Sequence, residues 1–493
     1  MRSSLVKHIW LIQPHDPAYP VLPIDAAGGR TVRFAPAWDL LCLRTFIMDR
    51  TGHTCEMIDV RLFNTIPEAF REAERHRPPK SSVIAIIYAG PHHASAVIEI
   101  VEQLHAHDPD IPLMLTGPIM TTMPEVVHYV PHLAFGLRGD AETILRHVLD
   151  ALDIPHRLKA IPGLIIPGEP LKPPHWLPNL KALSLPSWED LDWVAYRTDP
   201  EARSVRVEAR LSRGHPGTPS DAACPGSSEP LRVWPMTRMA QLLQTCPGHG
   251  IAEVFLSDPP GFWTDDRLDE WCRHLRALRS NQSWAFQTMM RDISEERLHE
   301  FAIHGARRIE WVIPAVEQQH RAALGVTLSD DELKRILQRC RAKGIDPVLI
   351  YWVEGPWSND QEANAVVAHA QHMGFPSLAV YPFPCYPDAP LVKSGLTVAG
   401  KPPTHTEWIA ALQTADRMPS VLWYWNGAAG LKRIRRTMVD LHKRMARNPF
   451  RILRSWWPSL GHSRLETASG HDSVPGTRLA RLRAWIKATT TRA

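Results

Sequence analysis

Histidine and cysteine are the side chains with which a protein most readily holds a metal, and in this chain they meet in one loop. A β-like run, Val205-Arg206-Val207-Glu208-Ala209-Arg210-Leu211, leads into Ser212-Arg213-Gly214-His215, and Cys224 follows after a gap of eight residues. Two donors spaced so widely fall short of the three or four that a closed metal site needs. The seven cysteines, at 42, 55, 224, 246, 272, 340 and 385, are odd in number, and no two have metal-ligand spacing. That usage points to a reduced, cytoplasmic setting rather than a disulfide framework. Cys246 and Cys272 fall on or near helical stretches and read as core thiols.

The other candidates stand at the ends of apolar runs. Gln13-Pro14, Tyr88-Ala89-Gly90, Thr116-Gly117-Pro118 and Arg138-Gly139-Asp140 each close a strand-like segment. Glycine there serves either as a turn residue or as a gap through which a bulky ligand approaches the backbone. The segments themselves lie at 8–14, 55–60, 83–90, 112–117 and 133–139, separated by helical patterns such as 37–50, 94–105 and 141–152. Continuous apolar strands alternating with amphipathic helices specify a doubly wound parallel sheet covered on both faces. Such a sheet binds ligands at the carboxyl ends of its strands.

Residues 153–203 are punctuated by proline and read as a linker with a small hairpin, followed by a segment lying across the next domain. From 204 to about 395 the alternation resumes. Strands are expected at 205–211, 252–258, 283–291, 307–314, 346–355 and 377–384, with caps at Thr264 and Ser294 for two of the helices between them. Six strand–helix units imply a full or partial parallel barrel, whose sites also lie at strand carboxyl ends. A helical extension over 396–460 and a Ser/Thr/Gly/Arg-rich tail over 461–493, which reads as poorly ordered, complete the chain.

Composition sets the limits. The 493 residues are 44% hydrophobic and 22% charged, an ordinary balance for a globular protein. A formal charge of +4 is too small to imply nucleic acid. No apolar run is long enough to span a membrane, and the first residues read as a β-strand rather than a secretory signal. Between Leu431 and Arg454, nine Lys or Arg residues face one Asp, and Trp456 and Trp457 follow. A basic amphipathic helix of this kind lies on an anionic membrane surface, or packs against the barrel or a partner.

Ordered motifs carry a resemblance across residues 5–395. In the first half they are Ala37-Trp38-Asp39-Leu40-Leu41, Gly52 to Asp59, Asp110 to Pro118 with Pro124-Glu125, and Arg138-Gly139-Asp140-Ala141-Glu142-Thr143. Ile161-Pro162-Gly163-Leu164 and Leu185-Pro186-Ser187-Trp188 follow in the linker. In the second half they are Ser212-Arg213-Gly214, Phe255-Leu256-Ser257-Asp258, Arg291-Asp292, Glu317, Gly355-Pro356-Trp357 before Glu362, and Tyr381-Pro382-Phe383-Pro384 with Pro390-Leu391. Together they resemble cobalamin-binding radical S-adenosylmethionine proteins. The resemblance implies a Rossmann-like cobalamin-binding domain followed by a radical-SAM (β/α)6 TIM-like barrel.

It also implies site residues. Loops after Gln13, Tyr88 and Thr116 would contact the corrin, with Gly90, Gly117 and Pro118 beside them, and the loop after Gly139 would flank the nucleotide tail. His92 and His93 either approach the ligand or cap their loop. Arg291, Glu317 and Gly355 would serve S-adenosylmethionine. Two departures stand out. The family holds a [4Fe–4S] cluster by C-x3-C-x2-C after Ser-Arg-Gly; here those positions are His215, Pro219 and Ala222, with Cys224 displaced by two, so the cluster is not expected. The nearest approach to a cobalt-ligating D-x-H-x-x-G, Asp440-Leu441-His442, ends in Met445 and reads as coincidence. The expectation is a cobalamin-binding protein without radical chemistry, an auxiliary subunit beside an intact homologue. Alternatives are an active methyl transfer or rearrangement enzyme on a hydrophobic or tetrapyrrole-like substrate with an atypical His215/Cys224 cluster, and a cobalamin- or S-adenosylmethionine-responsive sensor.

Overall fold

The computed structural model describes residues 6–15, 37–79, 81–152, 154–189, 191–193, 195–196, 205–217, 229–278, 282–359, 361–374, 377–383 and 433. Its strands are β1 (Lys7–Gln13), β2 (Thr54–Asp59), β3 (Ser82–Tyr88), β4 (Leu113–Thr116), β5 (Leu133–Leu137), β6 (Leu164–Ile165), β7 (Val205–Ala209), β8 (Ser212–Arg213), β9 (Arg232–Val233), β10 (Ile251–Leu256), β11 (Ser283–Met289), β12 (Ala306–Ile313), β13 (Asp346–Val353) and β14 (Ser377–Pro382). All eleven expected strands form, each within two residues of its expected ends. Several stop short where a terminal Gly or Pro, such as Gly90, Gly139 or Gly355, leaves the ladder.

The first sheet has the order β2-β1-β3-β4-β5-β6, parallel except for β6. Its strands are apolar on both faces because both faces are covered. On one, Ile9, Leu11, Ile84 and Ile86 pack with Leu40, Leu43 and Ile47 of helix Trp38–Arg50 and with Ile144 and Val148 of helix Ala141–Ala151. On the other, Trp10 stacks on Phe70 of helix Ile66–His76 at 6.2 Å between ring centroids. Strand order reverses between β1 and β3, so Gln13 and Tyr88 flank the switch point.

The second sheet runs β7-β10-β11-β12-β13-β14, all parallel and in chain order, and is curled into a half-barrel. Its outer face buries Trp284 and Phe286 against Trp271 and Phe301 of the covering helices. Its other face carries charge: Arg308 of β12 meets Glu253 of β10 at 2.8 Å and Glu310 at 3.2 Å. Ser294 and Thr264 accept the first-turn amides of Arg297 and Arg267, as their capping residues imply. No helix among the described residues is long and apolar enough to cross a membrane.

The connection between the sheets differs from the expected hairpin. Leu164–Ile165 instead pairs antiparallel with Gly136 and Leu137 as an edge strand. The following segment lies along the first half as well as the second. Trp188 is buried against Trp38 at 6.1 Å, and the Ser187 amide donates to Thr45 Oγ1 at 2.9 Å. Arg238 of helix Met236–Thr245 then donates to the Lys181 carbonyl at 3.0 Å. Burial of an indole on the nearer helix decides this path, a preference that proline spacing does not reveal.

Gly139 is the tightest point of this route. At φ +122° it sits against the backbone of His175, whose carbonyl oxygen lies 2.1 Å from where a Cβ would be. Gly139→Ala therefore loses stability through both strain and overlap, by about 2–4 kcal/mol. The check is a lowered urea midpoint at unchanged m-value.

Candidate functional site

Where the carboxyl ends of β3, β4 and β5 face β7 and the β8–β9 hairpin, charged groups converge. Asp39 and Glu142 stand in the first turns of helices Trp38–Arg50 and Ala141–Ala151, and Asp140 is the N-cap of the second. Helix N-termini favour carboxylates there. Arginines from the far side meet them. Arg213 donates to Asp39 at 3.0 Å, to Asp140 at 3.0 Å and to both oxygens of Glu142 at 2.6 and 3.0 Å. Arg210 reaches Asp39 at 3.4 Å, and Arg232 pairs with Asp140 and Glu229 under the ring of Trp176.

The protonation states follow from this pairing. Burial would lift the Asp39 carboxyl, but Arg213 and Arg210 outweigh it and hold it below the usual range. Burial lifts Glu229 more than Arg232 lowers it. The Tyr88 hydroxyl, donating to Asp39 at 2.8 Å, is pushed well up by burial and by that carboxylate. Gly214, at φ +79°, lets the hairpin close: a Cβ there would lie 2.2 Å from the Pro230 carbonyl.

Five of the residues assigned to a corrin, Tyr88, Thr116, Gly117, Pro118 and Gly139, line one cavity in this charged region. Gln13 and Gly90 do not. Gln13 Oε1 accepts the Ala37 amide at 2.9 Å, tethering the start of a helix, and the Gly90 amide donates to His93 Nδ1 at 3.0 Å, so His93 caps its own loop. The cavity measures about 90 Å³, well below the roughly 300–1,000 Å³ of sites for drug-sized ligands. Its polar groups are already engaged: Thr116 donates to the Leu137 carbonyl, Asp140 and Glu142 hold arginines, and Gly117 lies against Ala89. As arranged, these residues do not fit a corrin.

The loop that starts at Ser212-Arg213-Gly214 begins as a closed ladder. Ser212–Arg213 pairs antiparallel with Arg232–Val233, and the His215 amide donates to the Glu229 carbonyl at 3.1 Å. Pro219, Ala222 and Cys224 lie outside the described residues, as does Asp440-Leu441-His442. Among the described residues no three His, Cys, Asp or Glu side chains are grouped to hold a metal. Cys246, Cys272 and Cys340 are buried thiols pushed up to about 12 by burial.

A second cavity, about 390 Å³, opens at the carboxyl ends of β12 and β13. Glu317, His320, Trp357 and Glu362 line it, and Gly355 packs behind Trp357 against Phe383. His320 stacks on Trp357 at 5.1 Å. Glu362 accepts from the Glu354 amide at 2.8 Å and Ser358 Oγ at 2.9 Å, and burial pushes it up to about 7. Glu354 is buried at φ +61° and takes a bidentate pair from Arg433, at 2.7 Å twice. That pair sets one residue of the basic segment against the barrel; the rest of 431–454 lies outside the described residues. Arg291 is not in this cavity: it pairs with Asp265 and the Trp263 carbonyl.

Residue types alone did not reveal the arginine cluster or the charged face of the half-barrel. The available signal was Arg213 beside a glycine, facing the acidic Asp140-Ala141-Glu142 far away in sequence.

No family model and no curated protein matches the sequence. Solved structures do match. The radical S-adenosylmethionine methyltransferase TsrM from Kitasatospora setae, with tryptophan substrate and the analogue aza-SAM bound, aligns with a TM-score of 0.59 at 16% identity, covering 80% of this chain and 78% of that one. Its form with cobalamin and a [4Fe-4S] cluster bound aligns at 0.58 and 15%, covering 78% and 74%. The cobalamin-dependent S-adenosylmethionine radical enzyme OxsB with aqua-cobalamin aligns at 0.55 and 14% over 74% of this chain, which spans about half of OxsB, 52%. This chain is thus similar in fold to cobalamin-dependent radical S-adenosylmethionine enzymes.

Proposed function

We propose that the chain is an auxiliary protein without radical chemistry of its own, which binds S-adenosylmethionine intact and works beside an intact radical homologue. One observation carries the reading: the positions of the three cluster thiolates hold His215, Pro219 and Ala222, of which proline and alanine offer no ligand atom. Cys224 is out of step with that spacing. On this reading the first sheet is a Rossmann-like domain and the second a (β/α)6 half-barrel. Reductive cleavage needs an electron from a low-potential cluster, so a chain without one holds its ligand uncleaved.

The 390 Å³ cavity supports the binding half of the proposal, since its size lies in the range of small-ligand sites. When bound, S-adenosylmethionine brings a positive sulfonium and a flat ring. Glu317 and Glu362 supply negative charge for the sulfonium, and the stacked His320–Trp357 pair supplies an aromatic wall for the flat ring.

Anaerobic reconstitution with iron and sulfide tests the first half. The expected result is no stoichiometric cluster and no 5′-deoxyadenosine; about four irons and sulfides per chain with that product formed would establish the atypical-cluster enzyme instead. Calorimetry with S-adenosylmethionine tests the second. Trp357→Ala is expected to weaken binding by about 3- to 30-fold. Because Glu362 is neutral below about pH 7 and ionised above it, affinity for the cation should rise, by up to about fivefold, from pH 6 to pH 8. Glu362→Gln should flatten that rise.

A further inference from the structure

We infer that the Arg213 cluster has taken the place of a corrin: it is a permanent ionic tie between the two sheets, and the chain binds no corrinoid there. Four observations converge. The tie stands at the carboxyl ends of the first sheet, beside the reversal of strand order, where such a fold receives a ligand. Arg213 spends its donors on Asp39, Asp140 and Glu142 at 2.6–3.0 Å, with its side chain only 9% exposed. The cavity left beside it measures about 90 Å³. Finally, the Gly139 backbone, at the strand end assigned to the nucleotide tail, is bridged to His175 of the connection.

A corrin entering this space would have to part Arg213 from at least one buried carboxylate. Removing one partner from a buried ion pair is far more costly than replacing the pair as a whole, because the remaining charge stays out of water. The charge arrangement also looks inward. Two helix N-termini present the carboxylates and the β8–β9 hairpin presents two of the guanidiniums, so each group finds its counterion within the chain.

The test uses the full chain. Purified protein is mixed with excess hydroxocobalamin and passed through gel filtration, and its melting is followed with and without the corrinoid. The expected result is that the corrin absorbance separates from the protein and the Tm does not move. Co-elution of a corrin near one per chain, or a raised Tm, would overturn the inference. Arg213→Met should lower the Tm by about 5 °C or more, and added corrinoid should not restore it. An unchanged Tm, or recovery with hydroxocobalamin, would equally overturn it. If that variant does not accumulate folded, Glu142→Gln, which leaves Arg213 with Asp39 and Asp140, carries the same comparison with a smaller shift. S-adenosylmethionine binding in the barrel cavity is a separate readout, so either reading can fail without the other.

Discussion

Charges removed from water must find counterions, and the junction of the two sheets is organised around that requirement. Arg210, Arg213 and Arg232 face Asp39, Asp140, Glu142 and Glu229, most of them well buried. Such an assembly is tolerable only with near-ideal geometry, and the three carboxylates that Arg213 meets have it because they stand at helix N-termini, oriented by the backbone itself. The rest follows from that orientation. The hairpin must close tightly enough to bring Arg213 forward, and it does so through a left-handed glycine at 214. The first helix must start where Asp39 points inward, and Gln13 holds that start.

A different arrangement stands toward the other edge of the half-barrel, at the carboxyl ends of β12 and β13. There the cavity is larger, its walls are aromatic and carboxylate, and one carboxyl, Glu362, has a protonation midpoint near neutrality. Glu354 beside it adopts a backbone conformation that side-chain-bearing residues rarely take, and a bidentate arginine holds it there. Strain of this sort collects at functional sites more often than in ordinary turns. Near the two edges of the same sheet the carboxyl ends thus differ, one closed by ion pairs and one open as a cavity.

Most of the fold was legible because it rests on local pattern. Val83-Ile84-Ala85-Ile86-Ile87 can be little other than a strand buried on both faces, and Ser294 before two glutamates marks a helix start. Glycines at strand ends were legible as special positions, but not what comes close to each. Gly117 and Gly139 each admit a close backbone: Ala89 lies beside one and His175 beside the other. Arg213 was legible as part of a motif, while its counterions were not, because Asp39 and Glu142 come from other elements and only tertiary packing brings them together. Likewise Arg308 and Glu253 sit in strands that read separately as ordinary β segments, and their pairing depends on the curl of the sheet.

The segment joining the sheets has a mechanical consequence. It adds a reversed two-residue strand at the β5 edge, bridges Gly139 through His175, and lies along helix Trp38–Arg50 through Ser187 and Trp188 before touching Arg238. It is a splint rather than a tether. Swinging one half away from the other would pull Arg232 and Arg238 off the Leu177 and Lys181 carbonyls and part Arg213 from its carboxylates, so the pair should lose structure as one cooperative body instead of opening about a hinge.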